Sequence, residues 1–324
     1  MKAVVCTRFG TPDDLEMADL PAPQPGPGEA LVRVKAAALN FFDTLIIAGK
    51  YQYKPAFPFS PAGEFAGFVE TVGAGVSDIA AGDRVMGYMG WGAAREFVTV
   101  AARQLVKLPE SLAFERAAGL TVTYGTTLYA LRERAGLRSG ETLAVLGASG
   151  GTGLAAIELG KLMGARVIAC ASSDEKLAFA REHGADETVN YARDDFRGAL
   201  KRLGGEHGID VVYDPVGGAY AEPAVRALAW LGRYLVVGFA AGEIPKLPLN
   251  LVLLKSCDIR GVFWGEWTRR EPAAQRAIMA DIVNWTAAGR LSAHVHAVYP
   301  LDNTAAALKA IADRSVMGKI VLRI

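Results

Sequence analysis

The sequence is poor in the residues that covalent or metal staples require, with 3 cysteines and 4 histidines among 324 residues. Cys6, Cys170 and Cys257 stand far apart and form no CxxC pair. That spacing excludes a disulfide scaffold and a zinc-ribbon module, and points to reduced thiols in the cytoplasm. A chain of this length buries roughly 75% of the surface its unfolded form exposes, so it needs no such staples. Charge of one sign is lacking too. Thirty-five basic against 34 acidic side chains leave a net charge of +1, which creates no field to gather nucleic acid or an anionic membrane. Long apolar runs are missing, and residues 1–8 hold no apolar segment of a targeting signal, so neither a membrane span nor a leader is expected.

What is present is a hydrophobic fraction of 51% and 36 glycines, enough for a globular α/β protein of about two domains. Up to about residue 120 the chain reads as short strands, at 2–6, 30–36, 65–72 and 97–100, broken by Pro21-Ala22-Pro23-Gln24-Pro25-Gly26-Pro27-Gly28 and by Gly82-Asp83. This pattern predicts a barrel-like antiparallel domain. Beyond it, strands at 142–146, 166–169, 211–213 and 234–237 alternate with helices at 152–163, 174–183 and 223–230. Alternation at that spacing predicts βαβ units and a parallel sheet. The tail predicts helices at 273–288 and 304–312 and a closing strand at 319–324, and no linker separates it from the rest. A nested arrangement follows, in which the tail returns to the first domain.

Between the strand ending at Leu146 and the helix starting near Thr152 lies Gly147-Ala148-Ser149-Gly150-Gly151-Thr152-Gly153. Strand, glycine turn and helix form a dinucleotide-binding context. Gly147 allows the tight turn, Gly150 and Gly151 let backbone N–H groups approach a pyrophosphate beside Ser149 and Thr152, and Gly153 lets the helix pack closely on the sheet. The helix N-terminus adds about half a positive charge. The same residues spell GxSxG around Ser149, with Asp214 and His294 or His296 following in α/β-hydrolase order, so an esterase is an alternative. At the end of the second strand an NAD protein carries an acidic residue for the ribose. Here Ala171 fills that slot, followed by Ser172, Ser173, Asp174 and Lys176. Small hydroxyl side chains leave room for a 2′-phosphate and Lys176 supplies a cation, which predicts NADPH, with Asp174 as the contrary charge.

These segments together resemble the medium-chain dehydrogenase/reductase superfamily, and within it the zinc-independent quinone oxidoreductase (zeta-crystallin-like) group. The resemblance runs the whole chain. It rests on Ala37-Ala38-Leu39-Asn40-Phe41-Phe42-Asp43, Pro58-Phe59-Ser60-Pro61-Ala62-Gly63-Glu64-Phe65-Ala66-Gly67, Gly82-Asp83-Arg84-Val85, the glycine turn, Tyr213-Asp214-Pro215-Val216-Gly217-Gly218 and Arg314-Ser315-Val316-Met317-Gly318-Lys319. It implies a GroES-like β-rich catalytic domain from 1–123 and 263–324, a Rossmann doubly wound parallel-sheet domain at 124–262, an active site in the cleft between them, and a homodimer. Zinc-dependent relatives have a cysteine near Asn40 and a histidine where this chain has Gly63, so no metal site is expected.

The implied reaction is NADPH-dependent hydride transfer to a quinone or an α,β-unsaturated carbonyl. An enoyl-thioester or acrylate reductase is an alternative, and a non-enzymatic nucleotide-sensing or RNA-binding role a second one. Residue by residue, the resemblance places Asn40 and Tyr51 at the substrate, where they would stabilise charge arriving with the hydride. It places Thr126, Tyr129, Tyr191, Phe239 and Arg314 along the cofactor, with Arg314 beside Lys176. A second tyrosine of some quinone reductases is Leu45 here.

Overall fold

Apolar residues on both faces give the amino-terminal strands a continuous core rather than a simple alternation. In the computed structural model, which describes residues 1–324, β1 (Lys2–Cys6) pairs antiparallel with β2 (Leu15–Asp19). The central strand is β3 (Glu29–Leu39), followed by α1 (Phe41–Ile47), β4 (Glu64–Val72), β5 (Arg84–Tyr88), β6 (Phe97–Ala101) and β7 (Val106–Lys107). β3 runs antiparallel to β4 and to β6, and its buried Val32, Val34 and Leu39 pack with Ile46, Phe65, Val85 and Val98. α1 starts where the Asp43 carboxylate accepts the Asn40 backbone N–H at 2.7 Å, one half of a capping box. α2 (Phe114–Ala118) and α3 (Leu120–Leu128) follow.

The middle of the chain forms one parallel sheet. Its elements are β8 (Thr142–Leu146), α4 (Gly151–Leu162), β9 (Arg166–Ala171), α5 (Asp174–Glu182), β10 (Glu187–Asn190), α6 (Phe196–Gly204), β11 (Ile209–Asp214), α7 (Ala221–Ala227), β12 (Leu228–Val236), α8 (Leu249–Lys255) and β13 (Asp258–Gly261). The strand order is β10-β9-β8-β11-β12-β13, the doubly wound arrangement whose connections reverse between the first and fourth strands. The helix expected over 223–230 stops three residues early. Leu228 is extended and buried, and it lies beside Ile209 in the β11–β12 pairing. Burying Leu228 and Ala229 at the sheet outweighs continuing the helix.

After α9 (Trp264–Arg270) and α10 (Pro272–Ala287), the chain adds β14 (Val295–Pro300), α11 (Thr304–Ala312) and β15 (Lys319–Arg323). β15 inserts between β14, to which it is parallel, and β3, to which it is antiparallel. The chain thus divides into an antiparallel unit, Met1–Val122 with Thr268–Ile324, and a parallel unit, Thr123–Trp267. No helix is long and apolar enough to cross a membrane.

Candidate functional site

In the antiparallel unit, the two strands that flank the carboxyl end of β3, β4 and β15, deliver opposite charges to it. Pairing sets Ile320 of β15 beside Leu39 and Glu64 of β4 beside Ala38. The Lys319 ammonium then donates its three hydrogens to Leu39 O at 2.8 Å, Asn40 Oδ1 at 2.7 Å and Glu64 Oε1 at 2.8 Å. Asn40 Nδ2 donates to Glu64 Oε1 at 2.9 Å, and Glu64 Oε2 accepts the Val122 N–H at 2.7 Å. All three side chains are buried, with Glu64 wholly enclosed. An ammonium only donates and a carboxylate only accepts, so the Asn40 amide has one permitted orientation. Its Nδ2 spends one hydrogen on Glu64 and carries a second.

Asp43, also buried, accepts the Asn40 N–H and the Ala62 N–H, the latter at 3.1 Å. Burial outweighs these bonds and the nearby Lys319, and pushes the carboxyl up to about 7. Four half-buried aromatic rings adjoin this cluster. Phe42 stacks on Tyr51 at 5.7 Å, Tyr51 meets Tyr53 at 5.8 Å, and Tyr53 meets Trp91 at 6.4 Å. Burial, with Tyr53 and Asp43 nearby, raises the Tyr51 hydroxyl to about 12. A Cβ on Gly63 would lie 2.7 Å from Gly90 O, so the backbone leaves no room for a side chain at this position.

In the parallel unit, Gly147 takes φ +60, a left-handed turn open to glycine. A Cβ on Gly153 would meet Gly147 O at 2.2 Å, so only glycine lets α4 approach β8 this closely. Gly150 is the helix N-cap and offers no side-chain cap. The first internal bond of α4 is Leu154 N–H to Gly150 O at 2.8 Å, which leaves the N–H groups of Gly151, Thr152 and Gly153 without an acceptor in the chain. Three open donors beside a buried Ser149 form a cradle that fits a pyrophosphate.

At the end of β9 the Ser173 hydroxyl caps α5 by accepting the Lys176 N–H at 3.3 Å, and Lys176 Nζ lies 3.5 Å from Ser172 Oγ. Asp174 points to the end of β10. There Asn190 Nδ2 donates to it at 3.0 Å and Arg193 Nη1 at 2.9 Å, and these contacts hold its carboxyl below the usual range.

Thr126 and Tyr129 are buried at the end of α3 and in the π-helical turns that follow, where Tyr129 stacks on Trp267 at 4.4 Å. Tyr191 packs on Tyr220 at 4.3 Å. Phe239 remains partly exposed beyond Gly238. Arg314 belongs to the antiparallel unit, exposed at the end of α11 with φ +57. The esterase alternative loses its acid, because Asp214 accepts the Val216 and Gly217 N–H groups at 2.7 and 2.9 Å and the Tyr234 hydroxyl. No group of three or more His, Cys, Asp or Glu side chains is placed to hold a metal ion. Sequence reasoning did not single out Glu64, Lys319, Tyr53, Trp91 or Arg193. Glu64 and Lys319 lie in the segments 58–67 and 314–319, but 255 residues separate them.

A family model described as an alcohol dehydrogenase GroES-like domain matches residues 26–110, and one described as a zinc-binding dehydrogenase matches 151–279. Quinone oxidoreductase-like protein 2 of Rattus norvegicus is 38% identical over 99% of this chain and 91% of its own length. A quinone oxidoreductase of Pseudomonas aeruginosa is 33% identical over 99% of both chains. Among solved structures, the Escherichia coli quinone oxidoreductase complexed with NADPH superposes with a TM-score of 0.93 at 28% identity, covering all of both chains. The mycobacterial Rv1454c complexed with NADPH superposes equally well, at 30% identity and with the same coverage.

Proposed function

The chain belongs to the medium-chain dehydrogenase/reductase superfamily, in its quinone oxidoreductase group, and from that premise we propose an NADPH-dependent reductase that acts on quinones or α,β-unsaturated carbonyls without a metal. The observation that carries this reading is the Asn40 amide. Its orientation is pinned, its second Nδ2 hydrogen is uncommitted, and it adjoins a row of aromatic rings. When bound, the reduced nicotinamide supplies a hydride. Reduction of the acceptor would leave negative charge on its carbonyl oxygen, which would take its proton from solvent. Asn40 Nδ2 and the Tyr51 hydroxyl are the donors for that oxygen, and donors fixed in advance cost no reorganisation at the moment of reaction. The rings of Phe42, Tyr51, Tyr53 and Trp91 form a row against which a planar acceptor would pack, which favours quinones over aliphatic enones.

The cradle at Gly150–Gly153 would hold the pyrophosphate, lined by Ser149 and Thr152. Ser172 and Lys176 would take the 2′-phosphate, because Asp174 is drawn aside by Asn190 and Arg193. Thr126, Tyr129, Tyr191, Phe239 and Arg314 are assigned to the rest of the cofactor. Zinc does not fit the residues present. Asn40 stands for the cysteine, the backbone fills the space at Gly63, Glu64 is committed to Lys319, and burial raises the thiols of Cys6, Cys170 and Cys257.

A homodimer is part of the reading. β13 is one of the two edge strands of the parallel sheet, and in the β12 and α8 segments that precede it Trp230, Leu231, Leu249, Leu253 and Leu254 are exposed. Such an edge is a template for pairing with a second copy about a two-fold axis. The three unpaired cysteines agree with a cytoplasmic enzyme. The deciding experiment follows NADPH oxidation with quinones, enones and enoyl thioesters, with and without a chelator. Turnover of quinones unaffected by chelation is expected. Activity abolished by chelation, or confined to thioesters, would overturn the reading.

A further inference from the structure

We propose that Lys319 and Glu64 are positioning residues for acceptor reduction, their buried ion pair setting which end of the Asn40 amide faces the reacting carbonyl. The inference rests on the role given to Asn40 above. Rotating that amide by half a turn would set its NH2 against the Lys319 ammonium and its oxygen against the Glu64 carboxylate, two donors at one end and two acceptors at the other. Each member of the pair therefore enforces the same orientation. The network is also saturated. Lys319 spends three hydrogens on three acceptors, Glu64 has both oxygens occupied, and the remaining polar hydrogen is the second one on Asn40 Nδ2.

Stability alone does not account for the pair. A buried ion pair is weak evidence for stability, since well-packed apolar side chains of like volume serve as well or better. The strands around it already hold a continuous apolar core that includes Leu39, Phe65, Ile320 and Leu322. What an apolar pair cannot do is tell the two ends of an amide apart. The pairing registers of β4 and β15 against β3 bring the two charges to Asn40 from either side, which is the placement such a role requires.

The test is a cycle of steady-state rates with a quinone acceptor, accompanied by NADPH binding measured by calorimetry. Asn40→Ala sets the reference, a fall in kcat of about 100- to 1000-fold. The neutral pair Lys319→Met/Glu64→Gln is expected to lower kcat about tenfold or more while NADPH Kd stays within about twofold. The diagnostic variant combines all three substitutions. If the pair acts through Asn40, the triple variant is no slower than Asn40→Ala, whereas independent structural damage multiplies.

Should the neutral pair not fold, Lys319→Arg replaces it. It keeps the charge, but a planar guanidinium cannot place three hydrogens from one nitrogen on three acceptors, and the same non-additivity is expected. A neutral pair with wild-type kcat, or effects that multiply, overturns the inference and leaves the role of Asn40 intact. A wild-type rate in Asn40→Ala overturns that role itself.

Discussion

Two glycines three residues apart should respond to the same substitution in opposite ways. A Cβ on Gly153 falls 2.2 Å from Gly147 O and within 2.9 Å of two Ala148 backbone atoms. Relief means moving the start of α4 off β8 by about 1 Å, because the obstacle is backbone on both sides. Overpacking of this kind costs ~1–3 kcal/mol, a fall in Tm of roughly 2–5 °C for a chain of this size. Gly150 differs. Its φ of −73 is open to alanine, and its Cβ would lie an ordinary 3.4 Å from Gly147 O. Losing a glycine N-cap costs about 0.5–1 kcal/mol, and the stiffer unfolded chain returns about 0.4–1, so Tm should move by no more than ~2 °C. At Gly150, however, the methyl group stands where the cradle would admit a phosphate, and one lost charge-assisted hydrogen bond of ~1.5–3 kcal/mol weakens NADPH about 10- to 150-fold. Calorimetric titration and thermal melts on Gly150→Ala and Gly153→Ala separate the two effects. If Gly150→Ala melts low yet binds NADPH like the parent, the division of roles along this turn is refuted.

Other outcomes follow from the same structure. Asp43, raised by burial from 3.8 to about 7, binds its proton more tightly folded than unfolded. Its stabilising contribution, on the order of 4 kcal/mol, is complete below about pH 4 and disappears as pH rises through 7. Urea denaturation across that range should show a slope that Asp43→Asn flattens. Lys176→Ala should weaken NADPH about tenfold and leave NADH unchanged, measured by titration. Arg193→Ala, which releases the Asp174 carboxylate, should act in the same direction more weakly; a loss shared equally by NADH would exclude a 2′-phosphate role for both. Leu253→Asp on the exposed face of α8 should convert a dimer to monomers in analytical ultracentrifugation, whereas an unchanged sedimentation coefficient would place the subunit interface elsewhere.

The parallel unit was the more legible part of the sequence, because its signals are local. The β8 strand, the glycine turn and α4 are adjacent, and each glycine answers to a nearby atom, as Gly153 answers to Gly147 O. The end of α7 was misjudged because Leu228 is recruited by Ile209, a partner a propensity pattern does not contain. In the antiparallel unit, Asn40 was readable as a polar residue within a motif. Its orientation was not, since Lys319 and Glu64 come from strands far apart in the chain. Tyr53 and Trp91 carry no spacing that marks them as one row of rings. Arg193 looked like any surface charge until α5 and β10 set it against Asp174.

The position of β15 has a consequence for how the protein is made. This strand is translated after the elements named above, yet it lies between β14 and β3 and supplies the ammonium that orients Asn40. During synthesis the whole of the parallel unit is translated while Asn40 still lacks the Lys319 ammonium. A chain that ended before Lys319 would therefore carry the glycine turn but no cation to fix the Asn40 amide, so the orientation of that amide is a late product of synthesis.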